Sequence, residues 1–291
     1  MKLLTGVAPG RKGVGRAEPW PHTAGMSWED SLRGKTIIVT GASSGLGRGT
    51  TIRLAAAGAR VVAVARRRDV LEELADEIQA GRGSVIPVVA DVSVRADVER
   101  IVAEADEAFG RIHVWVNNVG VGALGYFWDV PLADHARIVE VNLTGVINGA
   151  HVAINHFIDH GSGALVNIGS VESQVPLALQ STYAATKAGV LSLSRSLQQE
   201  LRLAGRSGTV RIATVGWKAR IAVASHRLMP KATERASAVL FEYELTKAAE
   251  AEHTGGSLHS TLSDGLRIEG GIRQRMRRED ATSRRREKGG R

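Results

Sequence analysis

The 291-residue chain contains no cysteine, which excludes a disulfide framework, a thiol nucleophile and any cysteine-ligated metal site. It also lacks an uninterrupted run of 18 apolar residues, so nothing in it reads as a membrane span. Residues 1–25 have no apolar segment of secretory-signal length. They read as a disordered Gly/Pro/Arg leader, with Met26 as an internal alternative start. Without cysteine or a signal, the expected compartment is the cytoplasm. Proline is missing from the whole stretch between Pro176 and Pro230, which excludes a proline-bearing turn anywhere in it.

The net charge of +8 is unevenly placed. Residues 1–25 carry +3 and residues 272–291 carry +6, which leaves −1 for residues 26–271. A basic surface for nucleic acid would therefore lie in the ends and not on the folded body, and no nucleic-acid-binding motif accompanies it. The expected organisation is a disordered leader over 1–30, a folded main domain over 31–216, a partly helical extension over 217–271 and a basic disordered tail over 272–291.

Between Lys35 and Val215, short β-branched runs alternate with amphipathic ones. The strand-like runs are Thr36–Val39, Arg60–Ala65, Ser84–Val89, Ile112–Val116, Ala164–Ile168 and Val210–Val215. The helix-like runs are Leu46–Ala57, Asp69–Ala80, Arg95–Phe109, Asp134–Asp159 and Ser181–Ala204. Strict alternation predicts an α/β fold of Rossmann type, a doubly wound parallel sheet in three α/β/α layers.

Three features carry chemistry. After the first strand comes Thr40-Gly41-Ala42-Ser43-Ser44-Gly45-Leu46-Gly47, opening a helix. Glycines there let backbone approach a pyrophosphate, which the free N–H groups of the helix start attract. The G-x-x-x-G-x-G spacing differs from the more widespread G-x-G-x-x-G. After the second strand stand Arg66, Arg67 and Arg68, with no carboxylate before Asp69. Guanidinium groups suit a ribose 2′-phosphate, so NADP(H) is expected over NAD(H). Finally, Ser170 precedes Tyr183 by thirteen residues, and Lys187 follows Tyr183 by four, one helical turn away on the same face. An ammonium beside a phenol favours the phenolate, so the Tyr183 pKa is expected to be lowered towards neutrality and its hydroxyl to exchange a proton with an alcohol or carbonyl. His156 and His160, four apart, have no third ligand suitably spaced and read as a surface pair, so no metal site is expected. Phe127 and Trp128 read either as a wall of the substrate pocket or as ordinary packing.

These motifs together resemble the short-chain dehydrogenase/reductase family over roughly residues 34–215. The resemblance implies that Gly41, Ser43, Ser44, Gly45, Leu46 and Gly47 hold the cofactor, that Asp91 and Val92 contact its adenine, and that Asn118 and Gly120 of Asn117-Asn118-Val119-Gly120 line it, with Val119 where the family has alanine. It implies that Asn142 distorts its helix and anchors a proton-relay water, that Ser170 binds the substrate oxygen, that Tyr183 transfers the proton and that Lys187 grips the nicotinamide ribose. The implied activity is NAD(P)-dependent hydride transfer between a carbonyl and an alcohol on a small molecule, in a homo-oligomer; the charge placement and the lack of a long apolar run add the expectation of no nucleic acid or membrane partner.

After the sixth strand the chain departs from the family. Ala213-Thr214-Val215-Gly216-Trp217-Lys218-Ala219-Arg220 stands where a Pro-Gly turn and a Thr before a helical lid are expected. Gly216-Trp217-Lys218 resembles the C-terminal extension of one subgroup, found well beyond the lid. The departure implies that the lid, a helix and one strand are absent. It raises an alternative reading: a catalytically impaired NADP(H)-binding Rossmann protein without its substrate lobe.

Overall fold

A computed structural model of the chain describes residues 27–206 and 209–213, together with His226, residues 228–236, Val239 and residues 256–259. Six strands form one parallel sheet among these residues: β1 (Thr36–Thr40), β2 (Arg60–Ala65), β3 (Ser84–Val89), β4 (Ile112–Asn117), β5 (Ala164–Ile168) and β6 (Thr209–Ala213). Their order is β3-β2-β1-β4-β5-β6. The helices are α1 (Trp28–Leu32), α2 (Gly45–Ala56), α3 (Arg68–Ala80), α4 (Arg95–Phe109), α5 (Leu132–Val139), α6 (Gly145–Asp159) and α7 (Ser181–Leu203). The order reverses between β1 and β4, and open α/β sheets bind ligands beyond the strand ends at such a switch point.

Both faces of the central strands are buried, which explains their nearly unbroken apolar composition. Successive side chains alternate between two cores. Ile38, Val62, Val64 and Trp115 pack against Val98 and Ile101 of α4 and against Ala153 and Phe157 of α6. Ile37, Val39, Val61 and Ala63 face the other way, onto Ala55 of α2 and Leu71, Leu74 and Ile78 of α3. Pro87 sits in β3, an edge strand, where a missing N–H is tolerated. The register of β1 with β4 jumps from Thr36↔Ile112 to Ile37↔Val114. His113 is the extra residue, and its Nδ1 accepts the Thr36 N–H at 3.1 Å. Burial, reinforced by Lys35 and Arg111, pushes the His113 pKa down to about 4, which keeps that nitrogen an acceptor.

Two sequence expectations change here. The single helix expected over Asp134–Asp159 is two helices, α5 and α6, joined by a π-turn at Glu140–Thr144. The Gly145 N–H reaches back five residues to the Glu140 carbonyl, and the cause lies in Asn142, described below. His156 is buried rather than on the surface. Its Nε2 accepts the Ile112 N–H at 3.0 Å, and its ring stacks on His160 at 4.0 Å. No cluster of three or more metal-ligating side chains occurs among the described residues, and no helix among them is long and apolar enough to cross a membrane. The segment expected to depart from the family starts at Ala213, which closes β6, and from Thr214 lies largely outside the described residues, as do the tail and residues 1–26 of the expected leader; residues 28–30 of that leader are helical in α1.

Candidate functional site

The turn after β1 is shaped by close approach of backbone to backbone. Gly41 (φ +69°) and Gly45 (φ +55°) adopt left-handed conformations that disfavour any side chain. A Cβ on Gly47 would lie 2.0 Å from the Gly41 carbonyl oxygen. Asn118, beyond β4, braces the same turn: its N–H donates to Thr40 Oγ1 at 3.0 Å and its Nδ2 to the Thr40 carbonyl at 3.2 Å. Ser44 precedes α2 in an extended conformation and makes no side-chain cap, so the first-turn N–H groups of α2 are not capped by the residue that ordinarily does so. Ser43 is buried and accepts a hydrogen bond from Arg67 Nη2 at 3.0 Å, which ties the end of β2 to the glycine turn. Leu46 is partly exposed in the first turn of α2.

Beside this turn, Arg66 Nη1 donates to the Leu258 carbonyl at 3.2 Å. Arg137 Nε donates to the same oxygen at 3.2 Å, and Leu258 is buried. Asp91 pairs with Arg137 Nη2 and accepts from the Ser93 N–H and hydroxyl at 2.9 and 2.7 Å. Burial opposes ionisation of Asp91, yet the bonds from Ser93 and Arg137 outweigh it and hold the carboxyl below its ordinary range. Val92 is buried under the start of α6, in contact distance of Gly145. Burial lowers the Arg67 pKa, with a neighbouring Arg66 adding to the effect and Asp69 opposing it.

The second half of the site lies past β5. Ser170 caps a short 3₁₀ turn (Val171–Ser173): its Oγ accepts the Glu172 N–H at 3.2 Å, while Ser173 Oγ accepts the Ser170 N–H at 3.1 Å. This turn packs against α7, which carries Tyr183 and Lys187. Leu179, just before α7, holds a positive φ of +64° and gives its carbonyl to the Gly125 N–H at 3.1 Å, so strained backbone marks the entry to that helix. Lys187 is 3% exposed; its Nζ donates to the Ile168 carbonyl at 3.2 Å and lies 5.7 Å from the Tyr183 ring centroid. Gly120 comes against the same ammonium: a Cβ there would stand 3.3 Å from Nζ. Burial pushes the Lys187 pKa down to about 8.

The expected lowering of the Tyr183 pKa is reversed. Burial raises it, the Glu172 carboxylate raises it further, and the Ser170 hydroxyl offsets only part of the rise. The physical reason is that Lys187 aims its charge at a backbone carbonyl, while desolvation penalises the phenolate directly.

Asn142 is fully buried. Its Oδ1 accepts the Val121 N–H at 2.8 Å, and its Nδ2 donates to the Val121 carbonyl at 2.7 Å and to Thr186 Oγ1 at 3.3 Å. The π-turn aims this amide at the loop after β4 and at α7 together, so it locks the two halves of the site. Phe127 and Trp128, 56% and 77% exposed, are not core packing. Phe127 packs on His135 and Trp128 stacks on Tyr126.

Sequence reasoning missed several members. Arg137 positions Asp91 from a helix 46 residues away, which no local pattern signals. Asn117 and Asn167 join β4 to β5 through an Nδ2–Oδ1 bond of 2.9 Å; their only sequence signal is an amide at the end of an apolar strand. Glu172, two residues after Ser170, is 6% exposed and its Oε2 has no hydrogen-bond partner.

Solved and curated proteins place this arrangement. The oxidoreductase YxnA of Bacillus subtilis is 39% identical over 171 residues, 58% of this chain and 48% of its own. The chain thus spans about half the length of that relative. A metagenomic short-chain oxidoreductase solved with NADP is 31% identical with a TM-score of 0.60, over 64% of this chain and 83% of its own. A short-chain dehydrogenase/reductase of Burkholderia phymatum solved with NAD is 28% identical with a TM-score of 0.63, over 77% and 82%. Residues 35–217, which hold the glycine turn, Ser170, Tyr183 and Lys187, match the short chain dehydrogenase family, and the chain belongs to it.

Proposed function

We propose that the protein is an NADP(H)-dependent oxidoreductase that interconverts a carbonyl and an alcohol on a small molecule, with Tyr183 moving the proton. The observation that carries this reading is the buried Lys187 amine beside Tyr183, one helical turn away, with Ser170 at the end of the adjoining strand.

The residues fit a dinucleotide. The side-chain-free turn Gly41–Gly47 and the uncapped start of α2 suit a pyrophosphate. Asp91 and Val92 lie at the strand end suited to adenine. Asn118 and Gly120 line the way to Lys187, whose ammonium suits the nicotinamide ribose hydroxyls. Arg66 and Arg67 at the end of β2 support NADP(H) over NAD(H), because guanidinium groups match a 2′-phosphate. When bound, the nicotinamide supplies or accepts the hydride. The chain's own part is proton management. Ser170 would donate its hydroxyl hydrogen to the substrate oxygen. Tyr183 keeps its proton at neutral pH because burial raises its pKa, so it is poised to protonate an oxygen that gains negative charge. A cationic Lys187 would then stabilise the phenolate left behind. Asn142 would hold the loop after β4 in place, and the family's relay water would be anchored there.

Tyr183→Phe tests the reading. It should lower carbonyl-dependent NADPH oxidation by at least a hundredfold, in line with loss of a positioned acid, while NADPH affinity stays within about twofold. Near wild-type turnover in that variant would refute the role of Tyr183. The double change Arg66→Glu and Arg67→Glu should shift kcat/KM towards NADH; an unchanged ratio removes the cofactor preference.

A further inference from the structure

Glu172 is a buried carboxylate that the chemistry above does not use. The residue is 6% exposed, and of its two carboxylate oxygens Oε2 is buried with no hydrogen-bond partner. Its backbone N–H bonds Ser170 Oγ at 3.2 Å, and the capping bonds between Ser170 and Ser173 hold the turn rigid. The carboxylate is also close enough to Tyr183 to disfavour its phenolate. Among the described residues no cation or donor compensates the charge: burial is what acts on it, and it pushes the pKa up to about 7. A carboxylate oxygen buried without a donor is costly, and a perturbed ionisable group beside reactive side chains marks a candidate functional group.

We propose that Glu172 is a specificity-determining residue, and that it accepts a hydrogen bond from a hydroxyl on the carbon next to the reacting carbonyl or carbinol. The substrate class is then the α-hydroxy carbonyl compounds and the corresponding vicinal diols. The inference rests on the carbonyl-reductase reading. Ser170 and Glu172 share one rigid turn, and both act on the Tyr183 hydroxyl, Ser170 by a hydrogen bond and Glu172 through its charge, so a substrate oxygen held between Ser170 and Tyr183 would bring its neighbouring carbon within reach of the carboxylate. The donor sought must be a hydrogen-bearing group, because an ionised carboxylate only accepts.

The test compares α-hydroxycyclohexanone with α-methylcyclohexanone, which differ by a hydroxyl in place of a methyl group, as substrates for the full chain with NADPH. The wild type should favour the hydroxy ketone in kcat/KM by roughly tenfold to a hundredfold, the range for a hydrogen bond to a charged group. Glu172→Leu should erase that preference while leaving the methyl ketone turned over at least as well, and Glu172→Gln, which keeps an acceptor, should restore part of it. Equal turnover of both ketones by the wild type, or an equal fall for both in Glu172→Leu, overturns the inference and leaves the reductase reading standing. Turnover of neither ketone nor of any other carbonyl compound by the wild type overturns both.

Discussion

At the scale of single residues, burial decides the electrostatics more than proximity does. Lys187 and Tyr183 are one turn apart, as their spacing implies, yet desolvation raises the phenol and lowers the amine to about 8. Glu172 follows the same rule, with a consequence for stability. Its pKa rises from 4.5 to about 7 on folding, so the folded state binds the extra proton between those values. The stability this contributes is fully present below pH 4.5 and is lost as pH rises through 7. Glu172→Gln carries no such titration. The variant should therefore gain stability relative to the wild type as pH rises from 4.5 to 7, up to about 3 kcal/mol, and the difference should level off above pH 7. Thermal melts across this range check it, with several degrees of Tm as the expected difference. A difference independent of pH would mean that Glu172 ionises normally.

At the scale of elements, much of the site was legible before folding was considered. The glycine turn, the arginines after β2 and the Ser170, Tyr183 and Lys187 series all sit at strand ends or helix starts, where local pattern is strongest. The break between α5 and α6 was invisible to periodicity, because a π-turn inserts one residue without changing the apolar character of the run. Asn142 explains the break: the turn lets one amide take both backbone groups of Val121. Asn142→Ala should leave that N–H and carbonyl without partners, at a cost of about 2–4 kcal/mol, read as a lower urea midpoint. It should also loosen the loop after β4, which lowers turnover more than NADPH affinity. A stability within 0.5 kcal/mol of wild type, taking about 1 kcal/mol as the ordinary worth of one bond, would show that water replaces the amide.

For the whole molecule, the sheet order places β1 and β4 at the centre and β3 and β6 at the edges of the described sheet. Amide exchange should therefore be slowest at Ile38, Val39, Trp115 and Val116, which are buried from both sides, and faster in β3 and β6. Mass-spectrometric exchange over hours measures the order, and protection that is equal at the centre and the edges would contradict it. The two faces of the sheet are not equally covered. α2 and α3 cap β1, β2 and β3 on one side, while Ala164, Val166 and Ile168 of β5 stay only partly buried there among the described residues.

The amino-acid sequence alone determined the alternation of strands and helices, the positions of the glycine turn and the Ser170, Tyr183 and Lys187 series, because these depend on period, turn chemistry and short spacings. Tertiary structure alone decided which distant groups meet. It brought Arg137 to Asp91, Asn142 to Val121 and Arg67 to Ser43. It also set the sign of the Tyr183 shift and stranded the Glu172 carboxylate. Desolvation is a property of everything packed around a group, and no spacing along the chain records it.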